Sequence, residues 1–459
     1  MALNLKYTLQ NIGNIDNADI TIKPLTIIAG ENSSGKTFLT KSLYTILNSI
    51  YKDHFSDDLI KKFTKLDKLY KSFIEELNKP VKVDLEFNNE YSKYADAIVS
   101  IIEELTICNF KDQQKILEEE QNIFYEFENI MLKYFENRNK LQKFQKYTEY
   151  IENILESLTD LLYTVNNRVE VIIESINSSL DVGFKKNYQI TNLQSLIKRN
   201  QKENLNINID GIGSIDIDNK SNINFDFNEL GIEKIQNVKN IVFFDSPVYI
   251  KIRKALEKNS GLFDFLTKKD DKYLRGYPEY LEQLYTFIDK EYIDISDFNE
   301  ISQDIQKIIE GKLDTTKSGD IQYIDNNGST IPLSLTAMGI SNIGLIDLLL
   351  RNNVINKGSF LIMDEPEVHL HPKWQVALAK ILYKIAKSGA NIIIASHSLD
   401  LLKAFQVILK NDPETANDII AINKMPYTHE FSELSEIDKI DTVLDDLSKP
   451  YYDLYMNKS

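Results

Sequence analysis

A single cysteine, Cys108, stands in a chain of 459 residues. It excludes an intramolecular disulfide and any zinc site built on cysteine. No stretch approaches the roughly eighteen uninterrupted apolar residues that a membrane-crossing helix needs, and the opening Met-Ala-Leu-Asn-Leu-Lys lacks the plan of a secretory signal. The expectation is a cytoplasmic protein with no membrane partner. Positive charge is also short: 53 Lys and Arg oppose 69 Asp and Glu, for a formal charge of −16. That balance argues against a general nucleic-acid binder, because duplex affinity rests largely on neutralising phosphates. Two local groups, Lys61, Lys62, Lys65, Lys68 and Lys71, and separately Lys251, Arg253 and Lys254, keep a nucleic-acid groove open as an alternative to plain solvated helix faces. Helix breakers are scarce between residue 51 and about 183, where Pro80 and Gly183 are the only ones.

Against these absences, Gly30 to Thr37 reads Gly-Glu-Asn-Ser-Ser-Gly-Lys-Thr, a phosphate-binding loop. It follows a short apolar run, Leu25 to Ala29, that reads as a buried strand. It precedes Phe38, Leu39, Leu43, Ile46, Leu47 and Ile50, spaced as on a helix. Strand, glycine-rich loop and helix are the setting this loop requires. Gly30 and Gly35 let the backbone fold tightly, so that the N–H groups of Glu31, Asn32, Ser33 and Ser34 and the helix N-terminus can face phosphate oxygens. Lys36 supplies a charge to the terminal phosphates, and the Thr37 hydroxyl can ligate Mg²⁺.

Over three hundred residues later Phe360 to Met363 form another fully apolar strand, ending in Asp364 and Glu365. Two carboxylates at the end of a buried strand are unfavourable unless something uses them. Asp364 is placed to hold Mg²⁺, and Glu365 to orient or deprotonate an attacking water. Asn391 to Ala395 repeats the pattern and ends in Ser396-His397-Ser398, where His397 can donate to a terminal phosphate. His369 and His371, two residues apart without further ligands nearby, do not read as a metal pair.

These three segments, with Leu361 to Pro372 reading Leu-Ile-Met-Asp-Glu-Pro-Glu-Val-His-Leu-His-Pro, resemble the Walker A loop, the Walker B strand with its D-loop, and the H-loop of ABC-type ATPases. Within that class they resemble the AAA-labelled ATPases related to the OLD family and the ATPase subunits of bacterial anti-phage systems of the PtuA type. Tyr7 to Ile22, with Asn11-Ile12-Gly13 between apolar alternations, is similar to the opening hairpin of those heads and of RecF and SMC proteins. The resemblance covers about residues 3 to 50 and 330 to 405.

The resemblance implies an α/β P-loop NTPase, an ABC-type head carrying an inserted helical domain and small antiparallel β elements. It implies ATP and Mg²⁺ as cofactors, with Lys36, Glu365 and His397 as the catalytic group. It also implies a homodimer in which two heads sandwich ATP, each completing the other's site with a short signature segment. Here that segment is Thr336-Ala337-Met338-Gly339-Ile340-Ser341, in which Gly339 and Ser341 would reach nucleotide on the partner. Met338 stands where a serine is expected, a loss that Thr336 or Ser341 would have to make good. The plain alternative is a helix start capped by Thr336 or Ser334.

The expected organisation is a head from 1 to 50 and from 241 to 459, with a helical insertion over 51–183 and a small β meander within 184–240. The second part of the head holds accessory helices at 250–318, the signature at 334–341, the Walker B strand at 360–365 and the H-loop at 396–398. Alternation from Leu205 to Phe227, with turns at Asp210-Gly211 and Asn219-Lys220, predicts the meander. A further strand, Ile241 to Phe244, ends at Asp245-Ser246-Pro247, without the glutamine that ABC heads carry in a linking loop. Beyond His397 the pattern predicts one strand, Ile419 to Ile422, and one or two helices, with no counterpart of the TOPRIM domain of OLD nucleases. These readings favour a nucleotide-driven switch that controls a separate effector, a nuclease or toxin, in anti-phage defence. The alternative is a RecF-like or SMC-like ATPase of DNA repair or maintenance.

Overall fold

A computed structural model describes residues 4–77, 80–199, 203–228, 231, 238–253, 277–289, 298–316 and 319–456. Parts of the expected 250–318 helices, and Lys254, lie outside the described residues. The chain divides into two units, Met1–Ile50 with Ser179–Ser459, and Tyr51–Ser178.

The first unit opens with Leu5–Ile12 (β1) and Ile15–Ile22 (β2), an antiparallel hairpin whose buried and exposed residues alternate. Gly13 makes its turn at φ 57°, in the left-handed region that suits glycine. Leu25–Gly30 (β3) is buried throughout and leads, through the loop, into the helix Lys36–Ile50 (α1). The meander forms as Leu205–Ile209 (β4), Gly213–Ile217 (β5) and Ile223–Phe227 (β6). It is not a free-standing sheet. Residue Tyr7 pairs with Ile209, so the hairpin and meander make one five-stranded sheet ordered β2-β1-β4-β5-β6.

Ile241–Phe244 (β7) belongs elsewhere. A small antiparallel sheet, Gly311–Thr315 (β8), Ile321–Asp325 (β9) and Thr330–Pro332 (β10), turns at Asn327-Gly328. Phe360–Asp364 (β11), Asn391–Ser396 (β12) and Ile420–Met425 (β13) then join β3 and β7 in a parallel sheet ordered β13-β3-β12-β11-β7. Continuous burial along β3, β7, β11 and β12 is what a parallel sheet covered on both faces demands. Helix α1 packs across β7, β11 and β12, while the helix Pro372–Lys387 packs on β3 and β12. Because the chain crosses the sheet one way from β3 to β7 and the other way from β11 through β12 to β13, right-handed crossovers put these helices on opposite faces.

After His397 the structure is richer in helix than the sequence pattern predicts: Leu399–Asn411, Pro413–Ile419, His429–Ser432 and Glu436–Met456 surround the strand. Short polar segments such as Pro413–Ile419 carry too few turns for an apolar period to show.

The second unit is helical: His54–Glu76 (α2), Lys82–Ile107 (α3), Phe110–Asn139 (α4), Thr148–Asn166 (α5) and the start of Arg168–Tyr188 (α6). Asp53 and Asn109 cap α2 and α4 by accepting from backbone N–H groups in the first turn, satisfying donors the helix leaves unpaired. Tyr70 stacks on Tyr91 at 3.6 Å and Phe87 on Tyr134 at 3.7 Å, so aromatic rings fill much of this core. Buried among them, Asp84 pairs with Arg138 and accepts from the Tyr134 hydroxyl at 2.8 Å. Gly183 does not break the helix. It lies inside α6, where a Cβ would stand 3.0 Å from Thr45 Cγ2 of α1, so the glycine serves close helix packing instead. No described helix is long and apolar enough to cross a membrane.

Candidate functional site

The sheet register aligns four strand ends. Ala29 pairs with Ser396, Ala395 with Asp364, and Met363 with Phe244, so Gly30, Ser396, Asp364 and Asp245 meet along one carboxyl edge. Ligands of open parallel sheets bind at such an edge.

Gly30 takes φ 154°, and a Cβ there would stand 2.2 Å from the Met425 carbonyl oxygen, so the first loop position tolerates no side chain. Ser33 at φ 64° and Gly35 at φ 98° complete the tight turn. Glu31, Asn32 and Ser33 are exposed, while the Ser34 hydroxyl is buried without a partner. Lys36 folds back into this loop, donating to the carbonyls of Gly30 at 2.9 Å and Glu31 at 2.7 Å. Burial lowers its pKa, against the opposing pull of Glu365, Asp364 and Glu367.

Thr37 Oγ1 donates to Asp364 Oδ2 at 2.7 Å, joining the two motifs across 327 residues of sequence. The other carboxylate oxygen, Asp364 Oδ1, is buried with no partner. Burial pushes the Asp364 carboxyl up to about 6, partly offset by the Thr37 hydrogen bond, with Asp245 and Glu365 raising it further. Glu365 sits at φ 49°, unusual for a side-chain-bearing residue, and its N–H donates to Ala395 O at 2.9 Å. Its Oε1 lies 2.9 Å from His397 Nδ1, an ion-pair distance without the in-line N–H geometry of a hydrogen bond. Lys36, Thr37, Asp364, Glu365 and His397 are thus gathered at one edge of one sheet.

Gly339 and Ser341 lie in the first turn of the helix Met338–Arg351. Gly339 backs closely onto the Trp374 ring, where a Cβ would stand at 3.1 Å. Ser341 is 2 % exposed and donates to Ala337 O at 3.1 Å; Thr336, also buried, donates to Pro332 O at 3.1 Å. Both hydroxyls donate to carbonyls four residues back in their own segment. The residue preceding the helix is Ala337, so the side-chain cap from Thr336 or Ser334, the plain alternative, does not form. His371 instead caps the next helix, accepting from Lys373 N at 3.2 Å, and no metal-holding group of acids and histidines occurs among the described residues.

Sequence reasoning passed over Asp245, Tyr280 and Glu367. Asp245 follows the apolar strand β7 much as Asp364 ends β11, a repetition that could have revealed it. Its Oδ2 accepts from the Tyr280 hydroxyl at 3.2 Å, and it lines a cavity of about 470 Å³ with Thr37, Phe38, Lys41, Tyr188 and Tyr280. Glu367 is 5 % exposed; its Oε1 accepts from Ser396 Oγ at 2.6 Å and from His397 N at 3.4 Å. Burial raises its pKa, and its Oε2 has no partner. Nothing in the local sequence distinguishes it from an ordinary turn carboxylate.

A profile of the AAA ATPase domain matches residues 5–402. The chain belongs to that family. The DNA double-strand break repair Rad50 ATPase of Saccharolobus solfataricus is 26% identical over 98 residues, which are 21% of this chain and 11% of that protein. The chain therefore matches about a tenth of that relative's length. Among solved structures, an SMC head bound to the C-terminal winged-helix domain of ScpA is 10% identical at a TM-score of 0.39, covering 87% of this chain and 91% of the other. An SMC head with an extended coiled coil bound to the C-terminal domain of ScpA, from Pyrococcus furiosus, is 12% identical at 0.37, covering 88% and 92%.

An AAA ATPase domain implies ATP with Mg²⁺. The donor set fits: a buried, unpartnered carboxylate oxygen on Asp364 beside the Thr37 hydroxyl offers two hard oxygen ligands to a cation that otherwise keeps its waters. When bound, Mg²⁺ supplies charge neutralisation at the phosphates. The loop N–H groups and Lys36 are the groups that would meet the phosphates themselves.

Proposed function

We propose that the chain hydrolyses ATP as a nucleotide-dependent switch, two copies closing on ATP and opening after hydrolysis, and that it controls a separate effector protein, a nuclease or toxin, in anti-phage defence. The observation that carries the reading is the Thr37–Asp364 hydrogen bond, which brings the phosphate loop and the carboxylate pair to one point. In this reading Lys36 leaves the Gly30 and Glu31 carbonyls for the terminal phosphates, Thr37 and Asp364 hold Mg²⁺, and the loop from Gly30 to Thr37 cradles the phosphates. Glu365 takes a proton from the attacking water as the new O–P bond forms at the γ-phosphorus and the bridging P–O bond to ADP breaks. His397 steadies the transferred phosphoryl group, while Gly339 and Ser341 contribute from the partner head. Cytoplasmic location follows as part of the same proposal.

Turnover by the wild-type chain, with Glu365→Gln retaining bound ATP and eluting as a dimer on size exclusion, is the expected outcome. Persistent turnover in that variant with no shift in size would overturn the mechanism. Isolation of the protein together with the products of its genomic neighbours tests the effector; recovery without a nuclease or toxin removes that part.

A second reading, a RecF-like or SMC-like ATPase of DNA repair or maintenance, is favoured by the similarity over 98 residues to a relative named for double-strand break repair. Duplex DNA that accelerates ATP turnover several-fold supports it.

A further inference from the structure

Unsatisfied buried polar atoms are uncommon in folded proteins and call for a reason. Among the described residues several such atoms belong to the loop, the strand ends and the signature helix, namely Ser34 Oγ, Asp364 Oδ1, His397 Nδ1, Glu367 Oε2 and Asn342 Oδ1, while others lie elsewhere in the fold. The first three belong to the phosphate-binding loop and to the strand ends at Asp364 and His397. The last two lie on a chain of contacts that leads from the signature helix to the strand end bearing His397.

That chain can be followed atom by atom. Asn342, on the helix Met338–Arg351, donates through Nδ2 to Pro366 O at 2.8 Å. Pro366 stands between Glu365 and Glu367. Glu367 Oε1 then receives Ser396 Oγ and His397 N, while Ser398 Oγ donates to Gln375 Oε1 at 2.6 Å. Gln375 Nε2 in turn donates to Leu370 O at 3.0 Å, and Leu370 packs with Trp374 against Gly339, back at the start of the signature helix.

We propose that Glu367 is a positioning residue of the ATPase, a buried bracket that ties His397 to the signature helix of the same chain so that a shift of either is transmitted to the other. The proposal rests on the ATPase reading and adds a residue to it. A carboxylate with one oxygen on Ser396 and His397 and the other unpartnered has a second set of contacts open to it when the helix moves. Discrete alternatives of this kind are what coupling between sites requires. Its action runs through the place it gives His397, and displacement of a catalytic group by about 1 Å lowers turnover on the order of 100-fold.

The test is a comparison of Glu367→Ala, Glu367→Gln and Ser396→Ala in the full chain, with steady-state turnover and ATP affinity by calorimetry. Glu367→Ala is expected to lower kcat about 10- to 100-fold while ATP affinity changes less than about threefold. Glu367→Gln, which keeps the accepting oxygen, is expected to restore most of the loss. Ser396→Ala, which removes one donor and adds no volume, is expected to lower kcat in the same direction and guards against a Glu367→Ala chain that does not fold. Wild-type kcat in both alanine variants, or a glutamine variant as slow as the alanine one, overturns the proposal. A wild-type chain without turnover removes the ATPase reading and this proposal with it, so the two failures are told apart by the unmutated protein.

Discussion

Asp364 holds a carboxylate where an uncharged group would suit the surrounding protein better. With its pKa raised to about 6 in the fold, it binds a proton more tightly folded than unfolded. The stability this contributes is complete below the unfolded pKa near 4 and is lost as pH rises through about 6. Without nucleotide or Mg²⁺, the melting temperature should therefore carry a component that declines between about pH 4 and pH 7. Asp364→Asn should abolish that component and stabilise the nucleotide-free chain at pH 7 by roughly 1–3 kcal/mol, while removing Mg²⁺ binding. Denaturant melts at pH 5 and pH 7 decide it; an asparagine variant no more stable than wild type at pH 7 contradicts the burial argument. Lys36 gives a simpler expectation, since its ammonium is the loop's own cation: Lys36→Ala should abolish ATP binding, and undiminished affinity in calorimetry would falsify the phosphate-loop assignment. Residues such as Lys36, Thr37 and Asp364 were legible because the chemistry fixes their spacing to a strand end. Glu367 was not, because its importance comes from Ser396 and His397, partners close in space and nearly thirty residues away in sequence.

Among the elements, the strands were read more easily than the helices' ends. Leu25 to Ala29, Phe360 to Met363 and Asn391 to Ala395 are apolar but for Thr26 and Asn391 and so declare buried strands, while the alternation from Leu205 to Phe227 declares an antiparallel sheet. What alternation cannot carry is partnership: that β4 would pair with β1, some two hundred residues back, depends on which edge lies free in the folded chain. Gly183 shows the opposite difficulty, a breaker by composition that is a packing residue in place. Gly30 unites both lessons. Gly30→Ala should destabilise the fold by about 2–4 kcal/mol, because its Cβ meets backbone and cannot be relieved by a rotamer change. A melting curve superimposable on wild type would refute the close approach of β13 to the loop. The signature helix makes a gentler prediction: if the missing hydroxyl limits contact between heads, Met338→Ser should raise turnover, whereas an unchanged rate counts against that role.

For the molecule as a whole, charge decides between readings. Of the lysines that suggested a nucleic-acid groove, Lys62 pairs with Asp58 at 2.9 Å, Lys65 with Asp160 at 3.6 Å and Lys71 with Asp67 at 2.7 Å. Arg253 donates to Asp289, and Lys251 to the Thr336 carbonyl. Lys62, Lys65, Lys71 and Arg253, already answered by carboxylates, release few counterions on meeting phosphates, so ATP turnover should be insensitive to short duplex DNA at physiological salt. Titration of duplex into the ATPase assay checks this, and several-fold acceleration would move the balance to the repair reading. The order of strands in the parallel sheet has one more consequence, and it concerns the making of the protein. Strand β3 is translated at residues 25–30, yet both of its neighbours, β12 and β13, come from residues 391–396 and 420–425. At ordinary rates of synthesis the gap lasts on the order of tens of seconds. Throughout that interval Leu25, Ile27 and Ile28 have no sheet to join, and the growing chain must be kept from pairing with other nascent chains. The phosphate-binding loop leaves the ribosome long before the two strands that flank β3 and fix its place.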